Sequence, residues 1–555
     1  MGARPFDRAH SARSALLRLG RAAASGASQS NFAKPPGRAC DALAGPASSP
    51  AAGKASARIV RFLAPVSDPR KTPAGRLGHE FEGIVVDTRP LAVVLLSRSV
   101  RPFILVLGAL AFAALVRAAP PSGLTPVAER ALAVFALAVT YWISGALPLM
   151  VTSLLVIALL GASGVMPARE AYALFGNEAV FFILAAFMLA AAVNHRGLGR
   201  RIALSVFARF AATAGSLVPS VYLLGAFMSF VIPEHAVAAM LFPIVLDIVA
   251  QMDLGPGRSR LATALFLAMA WGVNIGGIAT LLGGARAPLA LGILSEATGR
   301  TISFTEWSLA TAPLVAFLLA AGYVVLRVYF PPERNALADC AKGLREQAAS
   351  LGRVTLEERV LGVILGVTIL AWIVGSRTYG YAGIAIFAVV ALFVFNLLSW
   401  QEVEEYVNWG IILMYGGAIA LGGALNHTGA AAFLAHRTLG QMKSPSLMIA
   451  VLSLLAIGLG EMLSHSAVVA ALVPVGLGLA RQLGLDARTL TLAVAVPAGL
   501  TFILPLGTPA NALAHSSGYL RKRELLLPGA IMILCAWLGL NLAIRFYWPI
   551  LGLRF

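Results

Sequence analysis

The sequence predicts an all-α polytopic membrane protein of about eleven spans in two inverted repeats, each repeat carrying a re-entrant helical hairpin and a broken helix. Three observations predict it. The mean hydropathy is +0.82, with 59% apolar residues against 12% charged. Apolar runs of eighteen or more residues recur along most of the chain, long enough to cross a hydrocarbon core of about 30 Å. One interrupted apolar element then occurs twice, once in each half.

Its first copy is Val231–Val245, where Pro233-Glu-His235 interrupts an apolar run; the second spans 462–476, with Ser464-His-Ser466 in the same place. An Ala-Val step follows each triplet, and a proline (Pro243, Pro474) stands ten residues after its first member. A charge at the bilayer centre costs about 2.5–3.5 kcal/mol on insertion scales, so Glu234 needs a reason to be there. Paired interrupted elements in two halves point to a binding site where the repeats meet.

Residues 1–100 are rich in Ala, Arg, Ser, Gly and Pro, and the first 40 hold a single acid, Asp7. They read as a basic, disordered extension, with an organellar transit peptide as the alternative. The net charge of +18 lies largely there and in loops, where basic residues set topology; nucleic-acid binding is not expected. Cys40, Cys340 and Cys535 are far apart and show neither metal-ligand spacing nor a disulfide framework.

The first membrane half covers 101–330. Spans are expected near 102–118, 128–147 and 148–166, and from Asn177-Glu178 to Val193. A basic amphipathic segment to about Ala212 suits the membrane surface. Residues 216–250 form a hairpin with the polar triplet at its tip, preferred over one kinked span, because non-helical backbone is tolerated where it lines a cavity. Residues 261–298 form a span broken at Asn274–Thr280 and Gly283–Pro288, where glycines free the backbone. A span at 309–329 and a charged cytoplasmic loop at 331–359 follow. The second half, 360–555, repeats the order: spans near 360–376, 381–398 and 409–426, a hairpin at 446–481, a broken span at 488–520 interrupted at Leu504–Asn511, and a last span at 527–549. An odd number of crossings separates the hairpins, so they enter from opposite faces. Asn177, Asn408 and Asn426 are expected to cap or end spans, and Trp307 and Trp409 to anchor the interface.

Basic residues orient the chain. With a cytoplasmic N-terminus, the inner loops hold Arg196, Arg200, Arg201, Arg258, Arg260, the 331–359 segment and Arg521-Lys-Arg523, leaving Arg300, Arg377, Arg437 and Lys443 outside. The expected location is the inner or plasma membrane, or an organellar inner membrane if the extension holds a transit peptide.

Ala146-Leu-Pro-Leu-Met-Val-Thr152, the two triplets, Ile275-Gly-Gly-Ile-Ala-Thr280 and Leu504-Pro-Leu-Gly-Thr-Pro-Ala-Asn511, in this order over about 128–545, resemble the divalent anion–sodium symporter family of dicarboxylate, citrate and sulfate carriers. The resemblance implies a scaffold and a transport domain, usually dimeric and of elevator type, whose tips and unwound loops hold a small anion and two sodium ions. The expected partners are that anion, membrane lipid and a second copy of the chain. No resident cofactor is implied; Na+ or H+ serves as coupling ion.

The chain departs from the family where substrate and ions bind. The family's Ser-Asn-Thr triplets become Pro233-Glu234-His235 and Ser464-His465-Ser466, and its "GTPPN" becomes Gly284-Ala-Arg286-Ala-Pro288. The candidate substrate-binding residues are Glu234, His235, Arg286, Ser464, His465, Ser466, Thr508, Pro509 and Asn511. Sodium wants hard oxygen ligands, for which the backbone at Gly276, Gly277, Thr280, Ser464, Ser466 and Gly507 is the candidate source, with the Ser464 and Ser466 hydroxyls beside it. Pro233 and His235 offer no side-chain oxygen. Glu234 is a candidate proton carrier. Arg286 either clamps an oxyanion bidentately or pairs with Glu234. Glu461 reads as structural.

The expected function is secondary active transport of di- or tricarboxylates or an inorganic oxyanion such as sulfate. A cation/proton antiporter or arsenite-type permease is the alternative; Arg286 argues against a cation substrate. No ring-forming filter favours a channel. An enzyme is not expected, because Ser464-His465 lacks an orienting acid and no His-Glu-x-x-His occurs.

Overall fold

A computed structural model describes residues 91–210, 213–256, 259–331, 338–439, 442 and 444–553. The chain divides into two units, 1–87 and 88–555; every described residue belongs to the second. The reading of the N-terminal extension up to residue 90 therefore lies outside the described residues, as do Arg258 and Lys443.

Inside a membrane every backbone polar group must be satisfied within the protein, which leaves an apolar chain of this kind the helix. The described residues contain helices and no strand. In order they are α1 (Leu91–Arg117), α2 (Pro126–Ser144), α3 (Leu149–Ala162), α4 (Ala168–Ala173), α5 (Glu178–His195), α6 (Leu198–Phe210), α7 (Ala214–Ser229), α8 (Glu234–Gln251), α9 (Arg260–Gly277), α10 (Arg286–Thr298) and α11 (Phe304–Tyr329). The second half holds α12 (Ala338–Ser350), α13 (Leu356–Tyr379), α14 (Tyr381–Val394), α15 (Trp400–Tyr406), α16 (Trp409–His427), α17 (Ala430–Leu439), α18 (Pro445–Met462), α19 (His465–Leu483), α20 (Ala487–Ala495), α21 (Pro509–Ser516) and α22 (Lys522–Leu542). Ten helices among the described residues are long and apolar enough to cross a membrane.

Local chemistry sets many of the ends. Ser303, Thr355 and Ser399 each form a reciprocal capping box with the glutamate three residues on. Asn177 caps α5 and Asn408 caps α16. Asn426 does not cap; its side chain donates to the Ala297 carbonyl of α10.

α7 and α8 form a re-entrant hairpin. Gly272 and Gly276 of α9 lie against Tyr222 and Ala226 of α7, so the two helices run in parallel. The short 252–259 loop joins the end of α8 to the start of α9, which returns α8 to the face where α7 began. α18 and α19 repeat the arrangement beside α20, with Gly460 against Ala498 and Gly476 against Leu490. The two series are inverted. His195, at the end of α5, meets the Tyr406 ring just before α16. Ala179, at the start of α5, shares a contact at Gly292 with Ile419, deep in α16. The corresponding helices α5 and α16 thus run in opposite directions. The exchange is reciprocal: α8 packs on α21, and α19 packs on α10.

The close approach of α7 and α9 depends on glycine. A methyl on Gly276 would overlap the Ala226 carbonyl. Gly276→Ala is expected to cost about 1–3 kcal/mol or more through overpacking, read as a lowered midpoint of thermal unfolding in detergent.

Some sequence expectations change. The 331–359 loop contains α12, and α13 already begins at Leu356. The first break covers 278–285, because Asn274–Gly277 stay helical as the last turn of α9. The second break begins earlier than Leu504: α20 ends at Ala495, and Pro497, which disfavours helix at the preceding residue, opens a short 3₁₀ turn to Gly499. Trp307 is not an interface anchor. It is fully buried and donates its indole N–H to the Ile278 carbonyl in the first break. Trp409 is partly exposed.

Candidate functional site

Both hairpin tips turn into a helix start at a capping position. Pro233 precedes α8 with φ −54° and ψ 137° and supplies no side-chain cap. Ser464 precedes α19 and accepts the Ala467 amide at 3.3 Å. The first tip is instead tied to the first break: the Glu234 amide donates to the Gly283 carbonyl at 2.9 Å. Thr280 donates to the Phe230 carbonyl at 2.6 Å.

Glu234 is the first residue of α8, and Arg286 is the first residue of α10. Arg286 Nη1 donates to Glu234 Oε2 at 2.9 Å, with side-chain exposures of 1% and 10%. His465, the first residue of α19, brings Nδ1 to 3.5 Å from Glu234 Oε1 and 3.3 Å from Arg286 Nη1. Two hairpin tips and one break therefore meet in a buried triad of ionisable side chains. The second break completes it, because Gly499 lies directly against the Arg286 guanidinium. Arg286 Nε and Nη2, which form one edge of that planar group, have no hydrogen-bond partner among the described residues. Tyr415 of α16 donates to the Ala285 carbonyl just before Arg286.

The network continues through the second break. His465 Nε2 and Thr501 Oγ1 are 3.4 Å apart. Asn274 Nδ2 donates to the Thr501 carbonyl at 2.9 Å and to Asn511 Oδ1 at 3.0 Å. Asn511 Nδ2 donates to the Leu504 carbonyl at 3.1 Å. Asn274 Oδ1 is buried without a donor among the described residues. Thr508 caps α21 by accepting the Asn511 amide at 3.0 Å, and Pro509 occupies the first helical position.

Glu461 holds the second break to the second hairpin. Its carboxylate accepts the amides of Phe502 (2.6 Å), Ile503 (3.1 Å) and Leu504 (2.7 Å). Glu461→Ala orphans three amides, that of Phe502 buried and those of Ile503 and Leu504 partly buried, and a buried one costs about 1–3 kcal/mol. A large drop in thermal stability is expected even in the absence of any substrate.

Of the sequence-predicted residues, Glu234, Arg286 and His465 meet directly, and Asn511 joins them through Thr501. Ser464 and Thr508 cap the helices that begin there, and Ser466 is buried in the first turn of α19. His235 is not in the triad: its ring packs edge-on against Phe187 of α5, 5.3 Å between centroids. It follows Glu234 in a helix, so its side chain leaves on another face. Of the sodium candidates, Gly276 is taken up by helix packing, and Gly277 faces Glu234 Oε2 and Arg286 Nη2. The Thr280 hydroxyl is spent on Phe230. Gly507 lies against the Gly460 carbonyl. Sequence reading missed Thr501, Gly499 and Tyr415. Among the described residues no group of His, Cys, Asp or Glu could hold a metal ion.

Two oppositely directed series of hairpin and broken helix, with a polar junction of ionisable side chains buried between them, have the architecture of a class: the secondary transporters of membranes. The chain belongs to the sodium:sulfate symporter transmembrane region family, whose model matches residues 101–554. It is 26% identical over 477 residues to the sodium-dependent dicarboxylate transporter SdcS of Staphylococcus saprophyticus, covering 81% of this chain and 92% of that one. With SdcS of Staphylococcus aureus it shares 26% identity over 442 residues, 74% of this chain and 84% of the relative. Among solved structures, the Neisseria gonorrhoeae efflux pump MtrF aligns with a TM-score of 0.50 at 15% identity, over 82% of this chain and 95% of that one, a likeness of fold alone.

Proposed function

We propose that this chain is a sodium-coupled carrier of dicarboxylate-type anions whose cargo is held at the junction of Glu234, Arg286 and His465. One observation carries the reading: the buried Arg286 guanidinium, set between both tips and both breaks, keeps its Nε–Nη2 edge without a hydrogen-bond partner among the described residues. That edge is the fork that matches a planar carboxylate with two parallel hydrogen bonds. The N-terminus of α10, where Arg286 sits, adds the positive end of a helix dipole. Gly499 covers the edge in this conformation, so the anion reaches it when the Pro497–Gly499 turn withdraws.

Sodium suits the second break better than the first. Beside the first break a guanidinium already supplies the positive charge. Around the second, the Thr501 and Leu504 carbonyls and the Asn274 and Asn511 side-chain oxygens offer hard ligands. A second reading has protons as the coupling ion, carried by Glu234. What favours it is a buried carboxylate shared between Arg286 and His465. The carrier is taken as a homodimer of elevator type, on the family resemblance. A cytoplasmic N-terminus is taken from the arginines at 196, 200, 201, 521 and 523.

The test is uptake of labelled succinate, citrate and sulfate by the reconstituted protein under separate sodium and proton gradients. A tenfold gradient supplies about 1.4 kcal/mol per ion. Accumulation of succinate driven by sodium alone is expected. Accumulation driven by protons alone would transfer the coupling to Glu234, and its loss in Glu234→Gln would then identify the carrier of the proton. Arg286→Lys keeps the charge but loses the fork. It is expected to weaken succinate binding about tenfold or more, the worth of one charge-assisted hydrogen bond. An unchanged affinity would remove the clamp and leave the pairing.

A further inference from the structure

A groove of about 670 Å³ runs along the first hairpin between α6 and α7, and none of Glu234, Arg286 and His465 lines it. Leu198, Ile202, Val206 and Phe210 line one side, four residues apart on one face of α6. Leu223 and Phe227 of α7 line the other, and Ile232, beside the hairpin tip, lies at its inner end. Its only hydroxyls, on Ser216 and Ser220, are already engaged, the first in a capping box and the second with the Ser216 carbonyl at 2.7 Å. The wall therefore has no free polar group for a polar ligand. It is open to the surroundings: Phe210 and Phe227 are each 56% exposed.

The mouth is basic. Arg209 adjoins Phe210 in the last turn of α6. The Arg327 guanidinium lies over Gly215, next to Ser216. Both arginines are exposed, and neither meets a carboxylate among the described residues; Arg327 bonds only the Tyr323 hydroxyl. From Ser216 to the end of α7 the wall rises roughly 20 Å at 1.5 Å per residue, enough for one leaflet of about 15 Å of hydrocarbon.

We propose that this groove binds one acyl chain of an anionic phospholipid, with the lipid phosphate on Arg209 and Arg327. The charge of the mouth selects the head group and the apolar wall takes the tail. On the far side of the groove, α6 is fastened at its start. Arg201 bonds Glu358 at 2.7 Å and the carbonyls of Leu351 and Gly352, and Arg196 just before α6 bonds Glu357 and the Leu397 carbonyl. The lipid tail thus fills the space between a fastened surface helix and the outer arm of the first hairpin. Its presence braces that hairpin independently of any cargo.

The full chain carrying Phe227→Trp, and separately Ile202→Trp, is reconstituted in mixed vesicles of phosphatidylglycerol and phosphatidylcholine. Only one of the two lipids is brominated in each preparation, at equal mole fraction. Brominated phosphatidylglycerol is expected to quench the introduced indole several-fold more strongly than brominated phosphatidylcholine. Adding Arg209→Gln and Arg327→Gln should equalise the two. Equal quenching with both arginines present would overturn the proposal and leave only general boundary lipid. Absence of quenching by either lipid would overturn it in favour of a protein segment or a second copy filling the groove.

Discussion

Arg286→Met alone is expected to lower the stability of the folded chain by about 3–5 kcal/mol. The residue sits at 1% side-chain exposure, 2.9 Å from Glu234. Removing the guanidinium leaves the Glu234 carboxylate buried without its counter-charge, and His465 is its only remaining polar neighbour in the triad. Taking a charge out of water costs several kcal/mol, and an ion pair repays this only while both partners are present. Glu234→Leu should be comparably damaging from the other side, because it strands a guanidinium that already has two nitrogens without a partner among the described residues. Thermal unfolding of the purified protein in detergent reads both losses. A shift of less than a degree or two in either variant would mean that water or an ion already compensates these charges.

Gly499→Ala is the second large effect. A methyl at this position would overlap the Arg286 guanidinium itself, at its Nε and Cζ atoms. The neighbour that must yield is not a free side-chain end, because Nη1 is held by Glu234 and His465. Overpacking of a well-filled interior costs about 1–3 kcal/mol. Here it also jams the turn that must withdraw for an anion to reach the arginine fork. Uptake is expected to fall to background while the protein still folds and inserts. Gly499→Ala combined with Arg286→Met removes the charged head from the overlap and should therefore be no less stable than Arg286→Met alone, without regaining uptake. Wild-type uptake by Gly499→Ala would show that the guanidinium moves freely and that Gly499 guards nothing.

The sequence made the poles of this site visible and hid what connects them. Glu234, Arg286 and His465 stand out because ionisable residues inside apolar runs are expensive, and two of them fall in a repeated element. Their meeting could be argued from the repeat, since a pseudo-two-fold brings equivalent breaks together. Thr501 and Gly499 carry no such signal: each is one small residue in an apolar stretch. Their importance lies in contacts across more than thirty residues of chain with His465 and more than two hundred with Arg286. His235 looked equivalent to Glu234 by proximity, but helical geometry turned it towards Phe187. Trp307 looked like an interfacial anchor by position, yet its indole satisfies a break carbonyl that the helix left open. The polar composition of α12 reads as loop in the sequence, and the helix packs against α6.

The central claim is that the Glu234–Arg286 pair serves transport and is not only a structural bridge. The measurement that tests it most directly compares Glu234→Leu, Arg286→Met and the double variant, each assayed for thermal unfolding and for labelled succinate uptake in vesicles. Replacing a buried ion pair by apolar residues of similar volume is often neutral or stabilising. The double variant is therefore expected to regain the stability that each single variant loses while its uptake stays at background. Uptake by the double variant at the wild-type rate would contradict the claim and reduce the pair to a bridge between the repeats.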